Sequence, residues 1–217
     1  MDYSDIKQQV YDTTMKLVET GLIRLSAGNI SARTPDGNVV ITPSAVQYDV
    51  IKPEDMVVID MNNMRLEGEH RPSSERALHT AIYKARPQVN AVVHTHPVYS
   101  IAFAVSNVEI PVINLEIFAI GGPIPVVPFS TPGLPGLGDV VADVLKARPN
   151  LMGALMQNHG MVTVGTDLRQ AFTHAVDLET GAQIYHLALQ TGAKPIVLTQ
   201  EQLEETMRVY LNPKSAG

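Results

Sequence analysis

Apolar residues recur at helical spacing over residues 4–20, where Ile6, Val10, Leu17 and Val18 share one face and Gly21 closes the run. The pattern then shortens to strand-length runs. A strand follows the segment Ser26-Ala27-Gly28-Asn29-Ile30-Ser31, and Pro35-Asp36-Gly37-Asn38 reads as a hairpin turn into a strand at 39–41. Another strand is predicted at 56–60 before a turn at 61–64, so this first part reads as antiparallel. Ser73 or Ser74 is expected to cap a helix reaching Arg86, with Leu78, Ala81, Ile82 and Ala85 inward. Further expected elements are a buried strand at 90–94, a helix at 98–105, and short strands at 111–113 and 124–127. The glycine-rich stretch 133–138 lacks dinucleotide-fingerprint spacing and reads as a loop before a helix at 138–147. Strands at 153–157 and 161–164 flank Asn158-His159-Gly160. Asp167 with Gln170, and Thr199 with Gln202, read as capping boxes for a long helix reaching Gln190 and for a last helix. The tail 212–217 is expected to be loose. Strands mixed with helices predict an α/β chain: one domain over residues 1–217, a three-layer α/β/α sandwich with a central, largely antiparallel sheet.

Composition narrows the function. The chain has 217 residues, 45% hydrophobic content and a formal net charge of −6, with no basic block, which argues against nucleic-acid binding. Cysteine is absent, so metal binding falls to histidine and carboxylate. The polar, acidic start is unlike a signal peptide, and the longest apolar tract, 117–129, is broken by Gly and Pro. A cytoplasmic protein without membrane partners is expected.

The candidate chemistry centres on Val93-His94-Thr95-His96-Pro97. Side chains alternate along a strand, so His94 and His96 face one way with Cα atoms about 7 Å apart. Two imidazoles so placed can grip one metal ion. A third histidine, His159, and a carboxylate, Glu75, would complete a catalytic zinc set. Glu75 also suits a first helical turn for stability alone. Ser26–Asn29, Thr42–Ala45 and Ser73-Ser74 are small-residue turns of the kind that bind anions through free N–H groups.

Taken in order, Ala27-Gly28-Asn29, Thr42-Pro43-Ser44, Ser73-Ser74-Glu75, His94-Thr95-His96 and Asn158-His159-Gly160 resemble the class II aldolase/adducin family over nearly the whole chain. The resemblance implies that His94, His96, His159 and Glu75 hold zinc, or another divalent ion such as Mn2+ or Co2+, with Glu75 also moving a proton. It implies substrate-phosphate binding by Ser26, Asn29, Ser44, Ala45 through its N–H, Ser73 and Ser74. Two positions depart from the family pattern: Ala45 stands where glycine is usual, and Ser26 where threonine is frequent. Glu116, in an apolar run, and Tyr210, near the C-terminus, are candidates for a second acid/base. His79, one turn after Glu75, is a candidate supporting residue, whereas His174 and His186 read as structural. The implied activity is that of a zinc-dependent aldehyde-lyase cleaving a ketose 1-phosphate to dihydroxyacetone phosphate and an aldehyde, in a homotetramer with interfacial sites. The same scaffold also carries sugar-phosphate epimerases, dehydratases and decarboxylases, and a non-catalytic adducin-type module, which would have eroded metal ligands.

Overall fold

The computed structural model describes residues 2–211. The expected tail at 212–217 lies outside them. Eight strands form one sheet in the order β4-β3-β2-β1-β5-β8-β7-β6. They are β1 (Gly28–Arg33), β2 (Val39–Ile41), β3 (Val57–Ile59), β4 (Arg65–Glu67), β5 (Ala91–Thr95), β6 (Val126–Val127), β7 (Gly153–Met156) and β8 (Gly160–Gly165). Every pairing is antiparallel except β6 with β7. The inner strands β2, β3, β5, β7 and β8 are buried throughout, as their near-continuous apolar runs require. Strand β4 is exposed along its length and charged at both ends, a composition that discourages pairing with another edge.

The described residues form seven α-helices. They are α1 (Ser4–Glu19), α2 (Arg76–Ala85), α3 (Val98–Ser106), α4 (Leu115–Ala119), α5 (Pro135–Ala147), α6 (Leu168–Gln190) and α7 (Gln200–Leu211). Helices α1, α3 and α4 pack on α6, while α2 packs on α5. Strand parity sorts the faces. Thr163 donates its hydroxyl to the Ala171 carbonyl of α6, and its register partners Val93 and Gly153 face the same way. The opposite parity, which includes Asn29, Ser31, Val92 and His94, turns toward α2. The result is the expected three-layer α/β/α sandwich.

Several local expectations change. No strand forms at 111–113. Pro111 lacks an N–H, Ile110 instead bridges Ile124, and Asn114 caps α4 by accepting the Ile117 N–H at 3.1 Å. Helix α5 already begins at Pro135, so much of the glycine-rich stretch is helical. Gly138 is required there because a Cβ would meet the Ala77 carbonyl oxygen at 2.7 Å. Helix α2 starts at Arg76, with Glu75 in the N-cap position and no side-chain cap, two residues later than a Ser73 cap predicts. The Thr199–Gln202 box forms in full, and Asp167 caps α6 while Gln170 reaches Thr166.

Candidate metal centre

The end of β5 carries His94 with both flanking strands against it. Its partner in β1 is Asn29 and its partner in β8 is Val162. Its Nδ1–H donates to the Met161 carbonyl at 2.8 Å, which fixes the tautomer and leaves the Nε2 lone pair facing outward. His96 lies one residue beyond the strand yet keeps its parity. Its Nε2 sits 2.9 Å from His94 Nε2. His159 arrives from the β7–β8 turn, and the three ring centroids are 4.7, 4.7 and 5.0 Å apart. In this turn the left-handed residue comes before His159. The positive φ, 56°, belongs to Asn158. Gly160 is needed for room, because a Cβ would come within 2.6 Å of the Thr95 carbonyl and 2.9 Å of the His96 ring.

Glu75 closes the cluster from the start of α2. Its Oε2 is 3.1 Å from His94 Nε2 and its Oε1 is 3.2 Å from His159 Nε2. The ligand atoms of these four residues all lie within 4.8 Å of one another. Burial raises the Glu75 pKa, but the facing His159 and His94 and the Asn29 amide outweigh it and hold the carboxyl well below its usual range. Burial, then repulsion by His94 and His159, lowers His96 to about 4, so its ring is neutral near pH 7. Glu75 Oε1 is buried and makes no hydrogen bond beyond its 3.2 Å approach to His159 Nε2. A carboxylate oxygen and three imidazole nitrogens converging this closely fit a divalent cation of zinc type.

Chain flanking the cluster is anchored from a distance. Helix α3 begins directly after His96-Pro97 and has no side-chain cap of its own. Glu179 of α6 supplies one, accepting the Tyr99 and Ser100 N–H groups at 2.9 and 2.8 Å and the Ser100 hydroxyl at 2.7 Å. Tyr48 donates to the Gly28 carbonyl at 2.7 Å, and burial pushes its pKa up to about 12. Sequence reading missed both residues. For Glu179 the signal was a helix start that needs an acceptor from elsewhere.

The phosphate candidates fall in separate segments of the chain. The segments holding Ser44 and Ser73 run side by side: Ser73 N–H donates to the Thr42 carbonyl and Ser44 N–H to the Arg71 carbonyl. Ser26 and Ser74 are exposed, and Ser73 is buried with its hydroxyl accepting the Glu75 N–H at 3.2 Å. Ala45 adopts φ 60°, the left-handed conformation for which glycine is usual. Asn29 is the exception. Its amide is engaged by Glu75 on one side and His79 on the other, leaving one N–H for an anion. Glu116 sits apart on the first turn of α4, facing Asp177 of α6. Among the described residues no hydrogen bond or ion pair joins it to the cluster. Tyr210 falls in α7, and its side chain lies outside the described part.

This geometry invites comparison with known proteins. The profile described as "Class II Aldolase and Adducin N-terminal domain" matches residues 8–186. The chain belongs to the class II aldolase and adducin family. L-fuculose phosphate aldolase of Escherichia coli K12 is 36% identical over 211 residues, 97% of this chain and 96% of that protein. L-ribulose-5-phosphate 4-epimerase of Salmonella paratyphi A is 35% identical over 205 residues, 88% of this chain and 89% of that one. A solved structure of L-fuculose 1-phosphate aldolase superposes with a TM-score of 0.90 at 32% identity, covering 97% of this chain and 98% of the other. Among the described residues, no helix of this family member is long and apolar enough to cross a membrane.

Proposed function

We propose that the protein is a metal-dependent class II aldolase that reversibly cleaves a ketose 1-phosphate, of the L-fuculose 1-phosphate kind, to dihydroxyacetone phosphate and an aldehyde. The observation that carries this reading is the convergence of His94, His96, His159 and Glu75 in an intact ligand set. His94, His96, His159 and Glu75 would hold a divalent ion such as zinc, which would supply Lewis-acid chemistry at the substrate carbonyl. Glu75 takes and returns the proton on the adjacent carbon, as its carboxylate stays ionised among the three imidazoles. Ser26, Asn29, Ser44, Ala45, Ser73 and Ser74 bind the phosphate through hydroxyl and N–H groups, local donors that an acidic chain needs for an anion. Tyr210 and Glu116 are the candidates for the proton on the aldehyde-side oxygen. A cytoplasmic homotetramer is part of the proposal and is tested by light scattering and fractionation.

The decisive experiment measures bound metal and follows deuterium entry into dihydroxyacetone phosphate in D2O by NMR. Exchange that EDTA abolishes supports the aldolase reading. Bound metal without exchange, with or without an added aldehyde, favours a second reading, an epimerase, dehydratase or decarboxylase of the same scaffold. That second reading draws its support from the 35% identical epimerase and from the Glu116 carboxylate.

A further inference from the structure

Helix α2 and strand β1 meet along a buried polar seam. Glu75, His79 and Tyr83 lie four residues apart on the helix, and Asn29 and Ser31 lie two apart on the strand. Four helical residues advance about 6 Å and two strand residues about 7 Å, so the two sets interleave. Glu75 Oε2 meets Asn29 Nδ2 at 2.8 Å, and Asn29 Oδ1 meets His79 Nε2 at 2.5 Å. His79 Nδ1 meets Ser31 Oγ at 2.6 Å, and Ser31 Oγ meets Tyr83 Oη at 2.7 Å. The seam ends at Arg33, whose Nη2 donates to the Tyr83 carbonyl at 2.6 Å while the guanidinium lies 4.9 Å above the Tyr83 ring.

The direction of every bond follows from the first. A carboxylate only accepts, so the end of the Asn29 amide facing Glu75 is its NH2. The end facing His79 is then the carbonyl, and His79 Nε2 must carry a proton. A neutral imidazole with Nε2–H has a lone pair on Nδ1, so Ser31 donates there, and Tyr83 donates to Ser31. His79 is fully buried, and burial lowers its pKa to about 3, which keeps the ring neutral.

We propose that His79 is a positioning residue that locks the Asn29 amide, through its Nε2–H tautomer, so that the amide always presents N–H to Glu75 Oε2. That bond holds Oε2 and keeps Oε1 on the side of His159 Nε2, 3.2 Å away. A released Asn29 would be able to turn its carbonyl toward Glu75, and the carboxylate would lose its fixed aim. The proposal rests on the reading of Glu75 as metal neighbour and proton carrier, but its first test does not depend on turnover.

That test is 15N NMR of the histidine-labelled, zinc-loaded protein. The His79 ring is expected as the Nε2–H tautomer, and an Nδ1–H tautomer overturns the proposal. The second test is a double-mutant cycle with His79→Leu and Asn29→Ala, read in zinc affinity by chelator competition and in deuterium exchange. Each single change is expected to cost about 10- to 100-fold, the range for groups that orient ligands. The double variant is expected to be no worse than Asn29→Ala, because His79 acts only through Asn29. Independent, multiplying losses would mean mere core packing and overturn the proposal. His79→Gln, which keeps a side-chain N–H, serves where His79→Leu does not fold, and its zinc affinity should stay within about threefold of wild type. A Gln variant that folds but binds zinc as weakly as Asn29→Ala also overturns it. If wild-type protein shows no exchange, the aldolase reading fails, while the tautomer and zinc affinities still decide the inference.

Discussion

Glu75 and Glu116 both stand at the start of a helix, in chain segments that a sequence reader marks alike as candidate acids. Their surroundings differ. Glu75 is 8% exposed and meets two imidazoles and an amide, all fixed by other strands and turns. Glu116 is half-buried and its charge is felt by another carboxylate: Asp177 of α6 has its pKa raised, by burial first and to a lesser degree by Glu116, against the opposing pull of His174. A helix start places a carboxylate, but what converges on it decides its chemistry.

The largest expected effect tests the Glu75 corner itself. His94→Ala or His159→Ala should lose bound metal and exchange together while circular dichroism shows an intact fold. Stoichiometric zinc in either variant would remove the cluster from the mechanism. The next test sets the two carboxylates against each other. Glu75→Gln should keep metal and slow deuterium exchange by about 10²- to 10⁴-fold, the usual worth of general acid–base catalysis. Glu116→Gln should leave exchange within about threefold, and any role in the second proton transfer should show only when an aldehyde is present. Equal losses of exchange in the two variants would dissolve the contrast.

Smaller effects come from the ground beneath Glu75. His79 has its folded pKa lowered to about 3, against an unfolded value near 6.5. The unfolded chain therefore takes up a proton first as pH falls, and this contribution to stability is whole above about 6.5 and drains away toward about 3. Urea midpoints measured across that window should fall with pH, and less steeply in His79→Gln. An unchanged slope would mean that His79 titrates normally. The smallest effect is expected at Ala45→Gly. Removing the methyl from a φ of 60° should stabilise by about 1 kcal/mol or less, because glycine's gain in the unfolded chain offsets the relief of strain. A destabilised variant would refute a strained Ala45.

The His94–His96 pair was legible because its signal is local, two histidines of one strand parity, whereas His159 and Glu75 joined it only through the order of family motifs. At Ala45 the family comparison marked only a usual glycine position, and the left-handed backbone there came from the structure. Strand β4 was not, because three residues with charged ends carry no periodicity. Nor was the aim of Asn29. It depends on how α2 seats against β1, a packing between residues 46 to 52 positions apart. Glu179 was hidden likewise, since the N–H groups it accepts are 79 and 80 residues away.

The meeting of α2 and β1 behaves as a vernier. Each step of four helical residues falls about 0.8 Å short of two strand residues, so by the third pair the scales have slipped by about 1.6 Å. At that third pair short polar side chains give way to Arg33, long enough to lean back to the Tyr83 carbonyl. Two scales with different divisions coincide over a limited length, and here the coincidence begins at Glu75. Such a device forgives exchanges of one side chain for another better than changes in count. One alanine inserted within β1 between Ile30 and Ser31, with Asn29 held in register, would send Ser31 to the α6 side of the sheet and leave a methyl facing His79.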